Sequence, residues 1–179
     1  MELWDLYDSI RKQIGNTHQR GVPLQEGHFH LVVHAIIEND KGEVLISKRH
    51  PMKRYGQLWE CNGGSVLAGE TSLQGILREI KEEIGLALHP NSGKIIHQET
   101  RGDTHYDLWH FQQNANIEDL ILQKEEVFNA KWVNQEQFDE MIANQEVVPF
   151  INHYFEFVFK NRKENENERK PSDNKKITI

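Results

Sequence analysis

Cysteine is almost absent from this sequence: the single Cys61 excludes an intramolecular disulfide, and nothing points to an oxidising compartment. Long apolar runs are missing as well. The best one, residues 31–37, is interrupted by His34 and is far too short to cross a bilayer. The first residues, Met1-Glu2-Leu3-Trp4-Asp5, have neither the basic start nor the apolar stretch of a secretion signal. A soluble, cytoplasmic chain with no membrane partner is therefore expected. Positive charge is also in deficit, with 21 Lys and Arg against 28 Asp and Glu and a net charge of -7. That balance argues against nucleic acid or an anionic membrane as the main partner.

What is present fits one domain with a real core, since 179 residues are too few for two comfortable ones. The mean hydropathy of -0.72 is lowered by Lys160 to Lys176, which is almost wholly charged or amide. Three parts are expected: an N-terminal β-hairpin extension over 1–26, a main domain over 27–160, and a charged, disordered tail over 161–179. Leu3 to Tyr7 and Lys12 to His18 predict the hairpin strands, and Gly21, Pro23 and Gly27 punctuate a linker. His28 to Ile37 and Val44 to Lys48 predict a second hairpin around Asn39-Asp40-Lys41-Gly42, residues that tolerate the positive φ of tight turns. Leu58 to Cys61 predicts a strand running into Gly63-Gly64.

From Thr71 to Ile84 the period changes. Leu73, Ile76, Leu77, Ile80 and Ile84 form one helical stripe, Thr71 or Ser72 can cap its start, and Gly85 ends it. Strands over Lys94 to Thr100, His105 to Gln112 and Ala130 to Val133 follow, with helices over Glu136 to Ala143 and Phe150 to Phe159. The alternation predicts an α/β fold of the α+β kind: a mixed β-sheet sandwiched between helices (α/β/α), with the hairpin added.

The chemistry concentrates on the helix of the stripe. Glu79, Glu82 and Glu83 stand at i, i+3 and i+4, so their carboxylates gather beside the apolar stripe. Charges on a helix face are usually no more than a solvated surface. Here they follow a Gly-Gly pair whose backbone can come close, and clustered carboxylates are hard oxygen ligands suited to Mg2+. A cation also explains how an acidic site could accept an anionic substrate.

Gly64, Glu70, Arg78, Glu79, Ile80, Glu82, Glu83, Gly85 and Leu86 are similar at every specified position to the signature of the Nudix hydrolase family. Such a coincidence arises on the order of once in a million chains or less at average residue usage. The resemblance implies a Nudix fold that cleaves a phosphoanhydride bond in a nucleoside diphosphate derivative or a nucleoside triphosphate. It implies Mg2+ or Mn2+ as cofactor, held by Glu79, Glu82 and Glu83 with a carbonyl of Gly63 or Gly64. Glu79 would orient or deprotonate the attacking water, and Arg78 would position the glutamates together with Glu70. Some members bring a further carboxylate from a later loop; Glu125 and Glu126 are the candidates, with a solvated charge pair as the alternative. Of Lys48, Arg49, Lys53 and Arg54, Arg49 is the expected phosphate contact.

Asp5 to Glu70 also resembles the first half of type I isopentenyl-diphosphate isomerase, through Leu6-Tyr7-Asp8, Thr17 to Gly21, His30 to His34 and Leu58-Trp59. His18 and His30 sit where two of that enzyme's metal histidines are expected. Its catalytic cysteine is replaced by the Gly63-Gly64-Ser65 stretch, and Cys61 reads as a small core residue. The chain thus resembles a hydrolase of the isomerase-like branch, with an isomerase or a non-catalytic nucleotide sensor as alternatives. His28, His30 and His34 alternate onto one strand face, where hydrogen-bonded structural histidines are more frequent than metal ligands. A homodimer through the hairpin is compatible with the sequence.

Overall fold

The computed structural model describes residues 2–149 and 152–159. β1 (Leu3–Tyr7) and β2 (Gln13–Gln19) pair antiparallel as the expected hairpin. Asp8 builds its turn: the carboxylate Oδ1 accepts from the N–H groups of Ile10 and Lys12 at 3.0 and 2.9 Å. A local acceptor of this kind replaces the ladder partners a turn cannot supply. The second sheet contains β3 (His30–Glu38), β4 (Val44–Arg49), β5 (Trp59–Glu60), β6 (Gly63–Ser65), β7 (Gly93–Arg101), β8 (Thr104–Gln112) and β9 (Val127–Val133). Its path runs β5-β4-β3-β8-β7, with β6 added to β3 and β9 to β4. β3 and β8 are parallel and the other pairs antiparallel, so the sheet is mixed.

Residue alternation sends each strand into two cores. Val33, Ala35 and Ile37 of β3, Leu45 of β4, and Trp109 and Phe111 of β8 face α1 (Ser72–Ile84), whose Ile76, Ile80 and Ile84 are fully buried. Each such isoleucine stabilises the layer by about 1.5–3 kcal/mol relative to exposure. Leu73 and Leu77, on the margin of the stripe, are only partly buried. Ile36, Val44, Ile46 and Leu108 point the other way, against Phe138 and Met141 of α2 (Gln135–Ala143) and Tyr154, Phe155 and Val158 of a helix over residues 152–159. The expected α/β/α layering results.

Both helix starts are capping boxes, Thr71 with Gln74 and Asn134 with Gln137. These satisfy amide groups that would otherwise lack partners. α1 ends at Gly85 in the left-handed region, φ 71°, with its N–H on the Lys81 carbonyl. Most element ends shift by one or two residues from expectation, β3 for example starting at His30 rather than His28. The larger differences are that β9 starts at Val127 rather than Ala130 and that Gly63–Ser65 is a strand rather than a connection. Of the helix expected from Phe150, residues 152–159 are helical, and the tail 161–179 lies outside the described residues. Among the described residues, no helix is long and apolar enough to cross a membrane.

Candidate active site

The site originates in a split of the sheet. β3 and β4 pair only at Glu38 and Val44, next to their turn, and then diverge. β6 occupies the vacated edge of β3, with Val32, Val33 and His34 opposite Ser65, Gly64 and Gly63. This places both glycines between β3 and α1. A Cβ on Gly63 would lie 2.1 Å from the Val33 carbonyl oxygen, and one on Gly64 would lie 2.4 Å from the Glu79 carboxyl carbon. Any side chain at 64 would therefore push into the acidic face, which gives a packing reason for the Gly-Gly pair.

Arg78 organises that face. Its Nε and Nη2 donate to the two oxygens of Glu70 at 2.8 and 3.0 Å, a bidentate pair, and Nη2 also donates to the Ser65 carbonyl at 2.9 Å. Nη1 donates to Glu79 Oε1 and Glu82 Oε2 at 2.9 and 3.0 Å. Burial alone would raise the Glu70 carboxyl. Hydrogen bonds from Arg78 and the Leu67 N–H hold it below the usual carboxylate range instead. Glu79 is shifted up by burial, against the opposing pull of Arg78.

Glu83 lies deeper. Asn62 Nδ2 donates to its Oε2 at 2.9 Å and to Ser47 Oγ at 3.0 Å. Burial raises Glu83 to about 7; the Asn62 hydrogen bond opposes this, and the charges of Glu60 and Glu79 add to it. Glu60 is itself raised by burial and paired to Arg49. Glu126 is ion-paired to Lys53, and Arg20, just after β2, to Glu2.

Gly63, Gly64, Arg78, Glu79, Glu82, Glu83 and Glu126 line one cleft of about 150 Å3, with Arg20 and Lys53 contributing cations. A larger groove of about 740 Å3 lies elsewhere, between the β3–β4 turn and residues 114–119, and contains none of these groups. Chemistry depends on the donors, so the smaller cleft is the candidate. Glu70 stands behind it as the partner of Arg78. Glu125 does not line it, and the Arg49 guanidinium is engaged by Glu60 and the Arg54 carbonyl.

Sequence reasoning did not single out Asn62, Glu60 or Arg20 as site residues, and it named Lys53 only among the candidate phosphate contacts from which Arg49 was preferred. The available signal was strand parity: Glu60 and Asn62 are two residues apart beside buried Trp59 and Cys61. No local signal marks Arg20, which reaches the cleft only because the hairpin folds back.

Of the histidines, His28 precedes β3, His30 stacks on Trp4 at 4.1 Å, and His34 is buried against Tyr106 and Tyr154. His18 shares a hydrogen bond with the Val22 carbonyl. Among the described residues, these histidines form no metal-ligating group.

Comparison with known proteins establishes the family. The NUDIX domain family matches residues 28–154. The chain belongs to the Nudix family. An uncharacterized Nudix hydrolase of Listeria monocytogenes is 36% identical over 159 residues, covering 87% of this chain and 94% of that protein. The CTP pyrophosphohydrolase of Escherichia coli is 40% identical over 76 residues, 37% of this chain and 56% of its own. Among solved structures, a Deinococcus radiodurans protein superposes with a TM-score of 0.68 at 20% identity, covering 89% of this chain and 98% of its own. The MutT protein of Methanosarcina mazei gives 0.57 at 23% identity, covering 77% and 96%. Homology to Nudix hydrolases supports hydrolysis of pyrophosphate-type bonds as the general activity.

The donor set fits a hard divalent cation. The box glutamates are not a closed trio, since Glu79 and Glu82 turn to Arg78 and Glu83 turns to Asn62. Mg2+ needs only one or two direct carboxylates and keeps its waters, so an open acidic cleft suits it.

Proposed function

We propose that this Nudix chain hydrolyses a phosphoanhydride bond in a nucleoside diphosphate derivative or a nucleoside triphosphate, with Mg2+ or Mn2+ as cofactor. The observation that carries this reading is the convergence of Glu79, Glu82, Glu83 and Glu126 with the cations Arg20 and Lys53 on one cleft. Glu79, Glu82 and Glu83, with a carbonyl of Gly63 or Gly64, are the residues to hold the metal. When bound, it polarises the phosphoryl oxygens and acidifies water.

The protein's own groups do the rest. Arg78 keeps Glu79 and Glu82 aimed from one guanidinium nitrogen, and Asn62 keeps Glu83 aimed into the cleft. Glu79 accepts the proton of the attacking water as the new P–O bond forms and the anhydride P–O bond breaks. Arg20 and Lys53 attract the substrate phosphates. The names of two relatives, the CTP pyrophosphohydrolase of Escherichia coli and the 8-oxo-dGTP diphosphatase of Haemophilus influenzae, favour a nucleotide.

The isomerase alternative needs an accessible acid. Cys61 is 1% exposed and burial pushes its thiol well above the usual range, so it supplies neither a thiolate nor a surface proton donor. A non-catalytic sensor has no use for a complete set of metal glutamates, and all are retained.

The test is a panel of nucleotides and diphosphates assayed for phosphate release with and without Mg2+. Glu83→Gln should lower turnover about a hundredfold or more while keeping the fold, and Cys61→Ala should keep most activity. An E83Q protein with full turnover at saturating Mg2+ overturns the proposal. Conversion of isopentenyl to dimethylallyl diphosphate, lost in C61A, would establish the isomerase instead.

A further inference from the structure

Away from the cleft, the edge strand β7 meets the helix of residues 152–159 through a second group of metal-ligating side chains. His97 and Glu99 stand two residues apart on β7, so both project from one face, and His153 comes to them from the helix. One ligand atom from each lies within 4.8 Å of the other two. His153 Nε2 is 3.4 Å from Glu99 Oε1, and His97 Nε2 is 4.0 Å from Glu99 Oε2. We propose that His97, Glu99 and His153 bind a borderline divalent cation of the Zn2+ class, which clips the helix to the edge of the sheet.

Donor chemistry separates this site from the glutamate cleft. Imidazole nitrogens suit Zn2+ and its neighbours in the first transition row, whereas Mg2+ selects oxygen. Donors about 2.0–2.2 Å from a tetrahedral centre stand roughly 3.3–3.5 Å from one another. The 3.4 Å between His153 Nε2 and Glu99 Oε1 is already of that size, while His97 Nε2, 4.0 Å from Oε2, has to draw closer.

The groups around the three ligands are arranged to orient them. Tyr154 donates its hydroxyl to Glu99 Oε1 at 2.8 Å, and Arg101 Nη2 stands 3.1 Å from the same oxygen. Oε2 is the oxygen turned toward His97. Carboxylates steadied in this way are typical supports of a metal site. The charge of Arg101 works against a cation; it engages the oxygen nearest His153, which leaves Oε2, turned toward His97, to meet the ion. The His97 ring stacks on Phe157 at 4.4 Å, and His153 sits edge-on to Tyr154 at 4.6 Å. Rings held by their neighbours lose little rotamer freedom on coordination.

The three side chains are between 22 and 42% exposed, so the ion has access and water can complete its shell. The effect follows from position. The helix delivers Tyr154, Phe155 and Val158 to the core, so a cation that binds only the docked arrangement stabilises it by mass action.

The experiment uses the full chain, stripped with a chelator and then saturated with Mg2+ to occupy oxygen sites. Zn2+ is titrated in competition with a chromophoric chelator, and thermal unfolding is followed at each ratio. One Zn2+ per chain and a rise in Tm are expected for the wild type and for a Glu82→Gln, Glu83→Gln double variant. His97→Ala and His153→Ala should each weaken binding by about 100-fold or more and abolish the Tm rise. Circular dichroism verifies folding, and His97→Ala, on the sheet edge, decides if His153→Ala fails to fold. No Zn2+ uptake by the wild type, uptake unchanged in His97→Ala, or uptake lost only in the glutamate variant overturns the proposal. None of these outcomes depends on the hydrolase reading.

Discussion

Three carboxylates within about one helical turn repel one another, so a helix carrying Glu79, Glu82 and Glu83 depends on positive charge from outside that trio. Arg78 supplies part of it from the same helix and is anchored from behind by Glu70, two residues ahead of α1. The gathering of the three glutamates was legible in the sequence because helical spacing alone brings i, i+3 and i+4 together, whereas the pairing of Arg78 with Glu70 was expected only from the family resemblance. Which cations line the cleft was not legible there. Arg49 is the expected phosphate contact, with Lys53 among the candidates beside it; the Arg49 guanidinium meets Glu60, while Lys53, paired with Glu126, and Arg20, paired with Glu2, line the cleft. Arg20→Ala and Lys53→Ala should each raise KM for a nucleotide substrate roughly tenfold, the loss of one surface-accessible charge contact. Arg49→Ala should lower stability and leave KM nearly unchanged, since it leaves the carboxylate of Glu60 buried without its partner. Steady-state kinetics and urea unfolding of the three variants separate these outcomes. A tenfold KM effect confined to Arg49→Ala would make Arg49 the phosphate contact instead.

At the scale of elements, the question is what ties the hairpin to the main sheet. Two backbone links join Tyr7 to Phe29, and the Ala68 N–H donates to the Leu3 carbonyl. The decisive contact is made by Arg11, in the turn between β1 and β2. Its guanidinium reaches Asp107 of β8 and the Glu99 carbonyl. Asp107 is 3% exposed and also accepts from Ser72 and Gln98, so its charge is buried among donors. Among the described residues Arg11 is the positive partner of Asp107, and removing it leaves that charge uncompensated. Arg11→Ala should therefore destabilise the fold by about 3 kcal/mol, and Asp107→Asn in the same chain should recover part of the loss. The midpoint of denaturant unfolding measures both. Because the hairpin also carries Glu2 and Arg20 to the cleft, Arg11→Ala should raise KM as well. An unchanged KM in a folded variant would show that the hairpin does not shape the site.

For the whole molecule, burial of histidines gives stability a defined pH dependence. His30 is stacked on Trp4 and hydrogen-bonded to Thr104, and burial lowers its pKa below 6.5. Asp103 opposes that shift, while Arg20, His105 and His18 add to it. The folded state thus binds fewer protons than the unfolded chain just below pH 6.5. The stabilisation is complete above that value and is lost as the pH falls through 6.5 toward the lower folded pKa. The His30 contribution should accordingly drop between pH 7 and 5. Glu83 contributes in the opposite direction, because its raised carboxyl takes up a proton in the folded state over the same range. His30→Phe, which keeps an aromatic ring against Trp4, should remove the His30 part of the slope. Urea unfolding at stepped pH tests this, and an identical slope in the variant would assign the effect to other groups.

The sequence by itself determined the layers and the acidic helix. Periods of two and 3.6 are set by backbone geometry, so Val33, Ala35 and Ile37 had to share a face, as did Ile76, Ile80 and Ile84. Thr71 and Gly85 marked the ends of α1 for equally local reasons. Only the tertiary structure decided where β3 and β4 part, and hence that Gly63–Ser65 is a strand beneath Glu79. It likewise decided that Asn62 meets Glu83, that Arg20 reaches the cleft, and that His97, Glu99 and His153 come together. Each of those meetings joins residues far apart along the chain or on different elements. No periodicity encodes them; they follow from how whole elements pack once their apolar faces are buried.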